Sequence, residues 1–230
     1  MENLSRRKLI QKAFTLGSIG TLLLGEKVFS QVMDACGTTP AQTEGPFYPV
    51  KLPFEKDTDL TFVKGKPGKA KGEIVYVSGV IQDEKCAPVQ NALVEIWQAC
   101  ASGRYNHPGD VSGLELDPNF QYYGKAVTDS NGSYEFKTIL PGHYPADENW
   151  IRPPHIHFKV FARGFQDLTS QLYFSGKSVG GKKGELIDDL NRKDAILEKI
   201  SPSERQRVII EIPEVAGLRR GRFDITLRQV

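Results

Sequence analysis

Two histidines one residue apart, His155 and His157, follow Arg152-Pro153-Pro154 and lie downstream of Tyr105 and Tyr144. Together they offer two imidazoles and two candidate phenolates to one metal ion. On an extended strand, residues two apart face the same side and sit ~6.6 Å apart along the chain, so both rings can lean toward a single ion. Pro153 and Pro154 keep the approach to the pair extended and irregular, because proline fixes its own φ and disfavours the helical region in the residue before it. A lone histidine is usually structural, and His107 and His143 are read that way. Most tyrosines of a β-protein are half-buried packing with a satisfied hydroxyl. Tyr105 and Tyr144 stand out among the eight in this chain by position. Tyr105 lies in the loop that leaves the strand ending near Trp97, and Tyr144 directly follows Pro141-Gly142-His143.

These residues need a scaffold of strands. Ile74 to Gln82, Ala92 to Ala99, Ser133 to Thr138, His155 to Ala162, Leu168 to Phe174, Val208 to Ile212 and Arg222 to Leu227 are β-branched or aromatic runs bounded by Gly, Pro, Asn or Asp. The pattern predicts an all-β fold, an antiparallel β-sandwich with one short helix and an N-terminal arm. Asn131-Gly132 predicts a type I′ hairpin between Ala126-Val127 and Tyr134-Phe136. The helix is expected from about Glu185 to Ile200, where Leu186, Ile187, Leu190, Ile196 and Leu197 make an apolar face and Ser201-Pro202 closes it. Residues 31–72, rich in Pro, Gly and Lys, read as an arm wrapping a sandwich domain at 73–230. Trp97 and Trp150 read as core and loop packing.

The chain has 230 residues, 39% hydrophobic and 25% charged, with a net charge of +2. That is enough for one sandwich-sized domain with a core, and so small a charge gives no reason to expect nucleic acid. Lys182-Lys183 and Arg219-Arg220 read as solvated loop charges. Residues 1–30 form a separate segment. Ser5-Arg6-Arg7-Lys8-Leu9-Ile10 and the apolar run from Ala13 to Leu24 resemble a twin-arginine export signal, with a small-residue cleavage site at Val28-Phe29-Ser30. The twin-arginine machinery is therefore an expected partner, and a periplasmic or extracellular location the expected destination. Cys36, Cys86 and Cys100 allow one disulfide in an oxidising compartment, or three inert buried thiols; the sequence does not choose a pair.

Five separated motifs carry a resemblance. Thr43-Glu44-Gly45-Pro46-Phe47-Tyr48 comes first, then Ala92 to Gln98 leading to Gly103-Arg104-Tyr105. Pro141-Gly142-His143-Tyr144, Arg152-Pro153-Pro154-His155-Ile156-His157-Phe158 and Thr169-Ser170-Gln171-Leu172-Tyr173-Phe174 follow. In this order, from about Thr43 to Leu227, the chain resembles the intradiol ring-cleavage dioxygenases. The resemblance implies a mononuclear, non-haem ferric site, Fe(3+), with Tyr105, Tyr144, His155 and His157 as its protein ligands. Phenolate is a hard anionic donor suited to a hard trivalent ion, and two phenolates with one hydroxide balance its charge. The substrates implied are dioxygen and a catechol, which loses two protons as it chelates. By the same resemblance Tyr144 would hold the axial position and take one of them, and the ring would open between its two hydroxyl-bearing carbons to a muconate-type diacid. Arg152 would stabilise negative charge developing on the ring, Gln171 would hydrogen-bond the same species, and Gly45 and Pro46 would line the substrate mouth. In certain members that last motif comes from a neighbouring chain, which makes a homo-oligomer an expectation.

The rival readings differ in what they require. A cupin-type site needs a Glu three or four residues beyond the His pair, where Val160 and Phe161 stand. Cleavage beside the diol calls for a ferrous site of two histidines and a carboxylate, for which only Asp147 and Glu148 lie near. A non-catalytic, transthyretin-like or carbohydrate-binding sandwich is the alternative from another class, since Thr128 to Tyr134 followed by Pro141 to Tyr144 also resembles such modules.

Overall fold

Alternation decides which side of each strand is buried, and in this protein one sheet departs from it. The structure is a computed structural model that describes residues 36–53 and 56–230. Strand β1 (Ile74–Asp83) alternates as a half-exposed strand does, with Val75, Val77 and Ile81 fully buried between more accessible neighbours. Strands β2 (Leu93–Trp97), β7 (His155–Phe161) and β8 (Leu168–Phe174) are buried on nearly every residue. Continuous burial means that both faces of their sheet are covered.

The described residues make two five-stranded sheets and one small pair. In the first, β1 lies between β4 (Ser133–Ile139), antiparallel, and the C-terminal strands β11 (Leu218–Arg222) and β12 (Ile225–Leu227), both parallel to it; β10 (Glu214–Val215) extends the edge. The second runs in the order β3 (Tyr123–Val127), β2, β7, β8, β9 (Ile209–Ile210), antiparallel except for the parallel β8–β9 pair. The third is β5 (Tyr144–Pro145) against β6 (Ile151–Arg152). Side chains from both large sheets meet in one core: Phe158 of β7 packs edge-on against Phe136 of β4 and against Phe223 between β11 and β12.

The protein is thus mostly β, but an antiparallel-only arrangement is not what it adopts. Strands brought together from opposite ends of the chain pair parallel, and local patterning carries no information on such partners. Asn131-Gly132 does not close a hairpin either. Only Gly132 has a positive φ, and β3 and β4 on its two sides enter different sheets. The Asp129 carboxylate orders this crossover by accepting the N–H groups of Asn131 and Ser133. Arg219 and Arg220 lie in β11. The first pairs with Glu73 and the second stacks over the Tyr76 ring, so their stems cover sheet surface while the charges stay at its edge.

Among the described residues there are three short helices, α1 (Gly176–Val179), α2 (Gly181–Lys193) and α3 (Pro202–Arg205), with a 3₁₀ turn at Leu197–Lys199. The expected single helix breaks at Asp194, which turns extended as the C-cap of α2. Ser201-Pro202 opens a helix instead of closing one. Ser201 and Glu204 form a reciprocal capping box around Pro202, which suits the first helical turn because it needs no N–H there. Cys36 and Cys86 are bridged and Cys100 is a buried thiol. The leader at 1–30 lies outside the described residues.

Candidate metal centre

The backbone register builds the first half of the site. Trp97 of β2, His157 of β7 and Gln171 of β8 are direct cross-strand neighbours, and His155 lies opposite Tyr173 one rung on. Ile156 and Phe158 point into the core, so His155 and His157 face the other way, with ring centroids 4.9 Å apart. His155 donates its Nδ1–H to the Pro153 carbonyl at 2.7 Å, which fixes the tautomer and leaves Nε2 with a lone pair. That Nε2 lies 3.4 Å from the Tyr105 hydroxyl. The His157 ring stacks on Trp97 at 4.7 Å and 10°, and its Nδ1 is buried with no hydrogen-bond partner. Burial, aided by the Arg152 charge, pushes His155 well below the ordinary imidazole range and His157 down to about 3. Both rings are neutral at pH 7, the form that binds a metal.

The two phenols arrive on loops. The Tyr105 N–H is held by Asp110 at 2.7 Å, and Tyr144 in β5 pairs with Arg152 in β6. Their rings meet edge to face with centroids 5.4 Å apart, and Tyr144 lies 5.7 Å from His155. What brings the loops this close is glycine. A Cβ on Gly142 would sit 2.4 Å from the Gly103 nitrogen, and one on Gly103 would sit 2.3 Å from the His143 carbonyl oxygen. Two residues beyond each glycine stands a candidate ligand. Burial raises both phenols above their ordinary range, with Tyr144 reinforcing it for Tyr105 and Arg152 opposing it for Tyr144. Deprotonating two buried phenols therefore needs a local cation.

Among the described residues, no cluster of three or more His, Cys, Asp or Glu side chains could hold a metal. Asp147 and Glu148 are exposed, whereas His155 and His157 are buried. Among the described residues, the donors gathered at His155 and His157 are the two imidazoles and the phenols of Tyr105 and Tyr144, with a third phenol, Tyr173, beside His155 but hydrogen-bonded to Arg152 and Gln42. This set fits a hard, highly charged ion better than zinc, which favours thiolate and imidazole.

Around the cluster lies a polar frame. Arg152 is buried and donates through Nε to Asp194 at 2.6 Å, and through Nη2 to the Gln171 amide oxygen at 2.6 Å and the Tyr173 hydroxyl at 3.1 Å. Gln171 in turn donates to the Thr43 carbonyl, and Tyr173 to Gln42. Residues of the arm form the roof. Gly45, at φ +71°, lets the backbone approach the His157 ring, which a Cβ there would meet at 3.3 Å. Pro46 is exposed beside it, and Phe47 stacks on Tyr105 with centroids 4.6 Å apart. The chain supplies this roof from itself. Glu44 pairs with Lys159, and Tyr48 donates to the buried Glu95 at 2.9 Å, fixing the arm on both sides of Gly45.

Sequence reasoning named eight residues, and all eight converge on this region. It missed Asp194, Tyr173, Phe47 and the site-facing role of Trp97. Tyr173 was within reach, because it shares a face with Gln171 two residues earlier. Trp97 is held as a stacking plate behind His157, and Trp150 takes Arg152 over its ring at 5.3 Å. His107 lies outside the cluster, edge-on to Phe47, and His143 is exposed.

The dioxygenase family profile matches residues 43–183. The chain is 40% identical to the protocatechuate 3,4-dioxygenase beta chain of Burkholderia cepacia over 179 residues, 75% of this chain and 72% of that one. It is 28% identical to the protocatechuate 3,4-dioxygenase alpha chain of Pseudomonas putida, covering 83% and 91%. Among solved structures, the dioxygenase domain of a dioxygenase carbohydrate-binding protein fusion from Streptomyces sp. SirexAA-E superposes with a TM-score of 0.59 at 30% identity, covering 84% of this chain and 99% of that one. The motif order, the paired histidines and phenols, and an identity of this size over three quarters of the length agree: the chain belongs to the intradiol ring-cleavage dioxygenases, and is an oxidoreductase of that family.

Proposed function

We propose that the protein opens a catechol-type ring between its two hydroxyl-bearing carbons with dioxygen, at a mononuclear non-haem ferric ion held by Tyr105, Tyr144, His155 and His157. The observation that carries this reading is the convergence of two neutral imidazoles and two buried phenols with no carboxylate among them. When bound, the ferric ion supplies a Lewis acid that ionises the phenols and the diol and draws electron density from the ring. Tyr144 accepts a diol proton at its phenolic oxygen. Arg152, fixed by three partners, presents a cation to the charge that develops on the ring, and Gln171 orients the arginine and hydrogen-bonds the same species. Gly45, Pro46 and Phe47 cover the His157 and Tyr105 side and limit the water that reaches it.

The relatives named for protocatechuate make that acid the first substrate to assay, beside catechol, hydroxyquinol and chlorocatechols, by oxygen uptake. Their alpha and beta chains support assembly into an oligomer. The twin-arginine-like leader and the Cys36–Cys86 bridge together support a chain that is exported, and the positions of Tyr105, Tyr144, Arg152, His155, His157 and Gln171 support 73–230 as the catalytic domain, roofed by the arm. Two measurements test the chemistry. The purified protein is expected to be red-brown from phenolate-to-ferric charge transfer, and ¹⁸O₂ is expected to place label from both oxygen atoms in a muconate-type diacid. A colourless, metal-free protein favours a transthyretin-like binding module, and a yellow semialdehyde product refutes the position of cleavage.

A further inference from the structure

The helical stretch after β8 interrupts an otherwise β-rich chain, and it places one carboxylate at the site. Asp194 ends α2, and its Oδ1 accepts the N–H groups of Ile196 and Leu197 at 3.1 and 2.8 Å. Its other oxygen, Oδ2, takes the Arg152 Nε. The carboxylate is thus held by two backbone donors before it meets the guanidinium, and neither partner has access to water: Asp194 is 0% and Arg152 5% exposed. A buried ion pair of this kind is weak as a source of stability, since desolvating both charges offsets much of their attraction. What it does well is fix direction. Guanidinium is planar, so binding Nε at one edge and Nη2 at Gln171 and Tyr173 determines where the whole fork lies.

We propose that Asp194 is a positioning residue for ring cleavage: it sets the plane of the Arg152 guanidinium, so that the charge faces the reacting ring from a fixed place. This rests on the reading in which Arg152 acts on the ring. The hydrogen-bond partners of the Asp194 carboxylate are Arg152, Ile196 and Leu197, and none of the four proposed metal-ligand side chains is among them. Its loss is therefore felt in turnover, while the metal site keeps its colour.

The test uses the full-length, iron-loaded protein with catechol as the probe. In Asp194→Asn the carboxylate charge goes while the acceptor for Ile196 and Leu197 remains; in Asp194→Glu the charge stays but moves outward by one methylene. Both are expected to keep iron content and the visible band, to lower kcat about tenfold or more, and to change KM by less than about twofold, the signature of an interaction that matters in the transition state. Asp194→Glu separates the roles, because a carboxylate needed only to neutralise a buried charge works from either length. If Asp194→Asn does not fold, Asp194→Glu alone decides. Both readings are tested beside Arg152→Ala. Should Arg152→Ala lose about a hundredfold in kcat while Asp194→Glu stays within about twofold of the unmodified enzyme, positioning by Asp194 is wrong and the role of Arg152 stands. Should Arg152→Ala itself turn over normally, the reading of Arg152 falls and the proposal with it.

Discussion

Gly142→Ala adds one methyl group at the place where the two phenol-bearing loops touch. The new Cβ would lie 2.4 Å from the Gly103 nitrogen, 2.5 Å from the Ala101 oxygen and 2.9 Å from the Gly103 Cα, all of them backbone atoms that no rotamer change can move. Relieving the contact separates the loops by about 1 Å, and overpacking of this kind costs about 1–3 kcal/mol. The Gly142 N–H to Cys100 carbonyl hydrogen bond, 3.0 Å long, is strained at the same time. Because Tyr144 and Tyr105 stand two residues beyond Gly142 and Gly103, the displacement reaches both phenols, and a 1 Å misplacement of reacting groups costs roughly 10²-fold in rate. Urea denaturation reads the first effect; the visible band and kcat read the second. Gly113→Ala is the control, since its φ of +72° is strained for alanine but nothing lies within 4 Å of the added methyl. It should cost about 1 kcal/mol and leave colour and turnover alone. If Gly142→Ala keeps stability, band and kcat like the control, the close approach of the two loops is not what sets the phenol pair.

Tyr105→Phe and His157→Ala should each abolish turnover and remove or shift the visible band, since each deletes a proposed metal donor; normal colour with activity refutes the ligand assignment. The iron-free protein should lose stability in acid. His155 and His157 are buried neutral, with His157 pushed to about 3, while the unfolded chain protonates near the ordinary imidazole value. Their contribution is thus complete above that value and falls as pH drops through it, by up to about 1.4 kcal/mol per pH unit per histidine. Denaturation midpoints that stay flat from about pH 7 to 4.5 contradict this burial. Reducing the Cys36–Cys86 bridge, which spans 50 residues, should destabilise the fold by roughly 4 kcal/mol; an unchanged melting curve in reductant rules the bridge out. Replacing Arg6 and Arg7 by Lys should leave precursor in the cytoplasm, and export at the normal rate removes the twin-arginine reading.

Much of the site was legible because it obeys short-range rules. Period-two alternation put His155 and His157 on one face, and the loop positions of Tyr105 and Tyr144 marked the phenols. The strands that carry them were legible too, with β8 matching Leu168–Phe174 residue for residue. The parts that escaped depend on partners far away in the chain. Nothing near residue 194 announces a contact with residue 152, and the apolar pattern of Glu185 to Ile200 argues for carrying a helix straight through the position where Asp194 ends it. The parallel pairing of β11 and β12 with β1 joins segments more than a hundred residues apart, for which alternation gives a face but no neighbour.

The second covered face of the β2–β7–β8 sheet connects these observations. One face is closed by the main core. The other is closed by the arm and the two phenol loops, which stack Phe47, Tyr48, Tyr105 and Tyr144 on Trp97 and Tyr123. A sheet with apolar residues on both faces can be satisfied by packing alone, but this one carries His155, His157, Gln171 and Glu95 on its second face. Each such group must be paired or lose its solvation for nothing. Gln171 finds Arg152 and Thr43, Glu95 finds Tyr48, and His155 finds Pro153. What remains after that pairing is the His155 Nε2 lone pair beside the Tyr105 hydroxyl, a second neutral imidazole and a second phenol. Trp97 Nε1 and the Tyr123 hydroxyl on the same face are buried without a hydrogen-bond partner as well, but neither is a usual metal donor in its neutral form, so the two imidazoles and two phenols are the groups on which the proposed metal site rests.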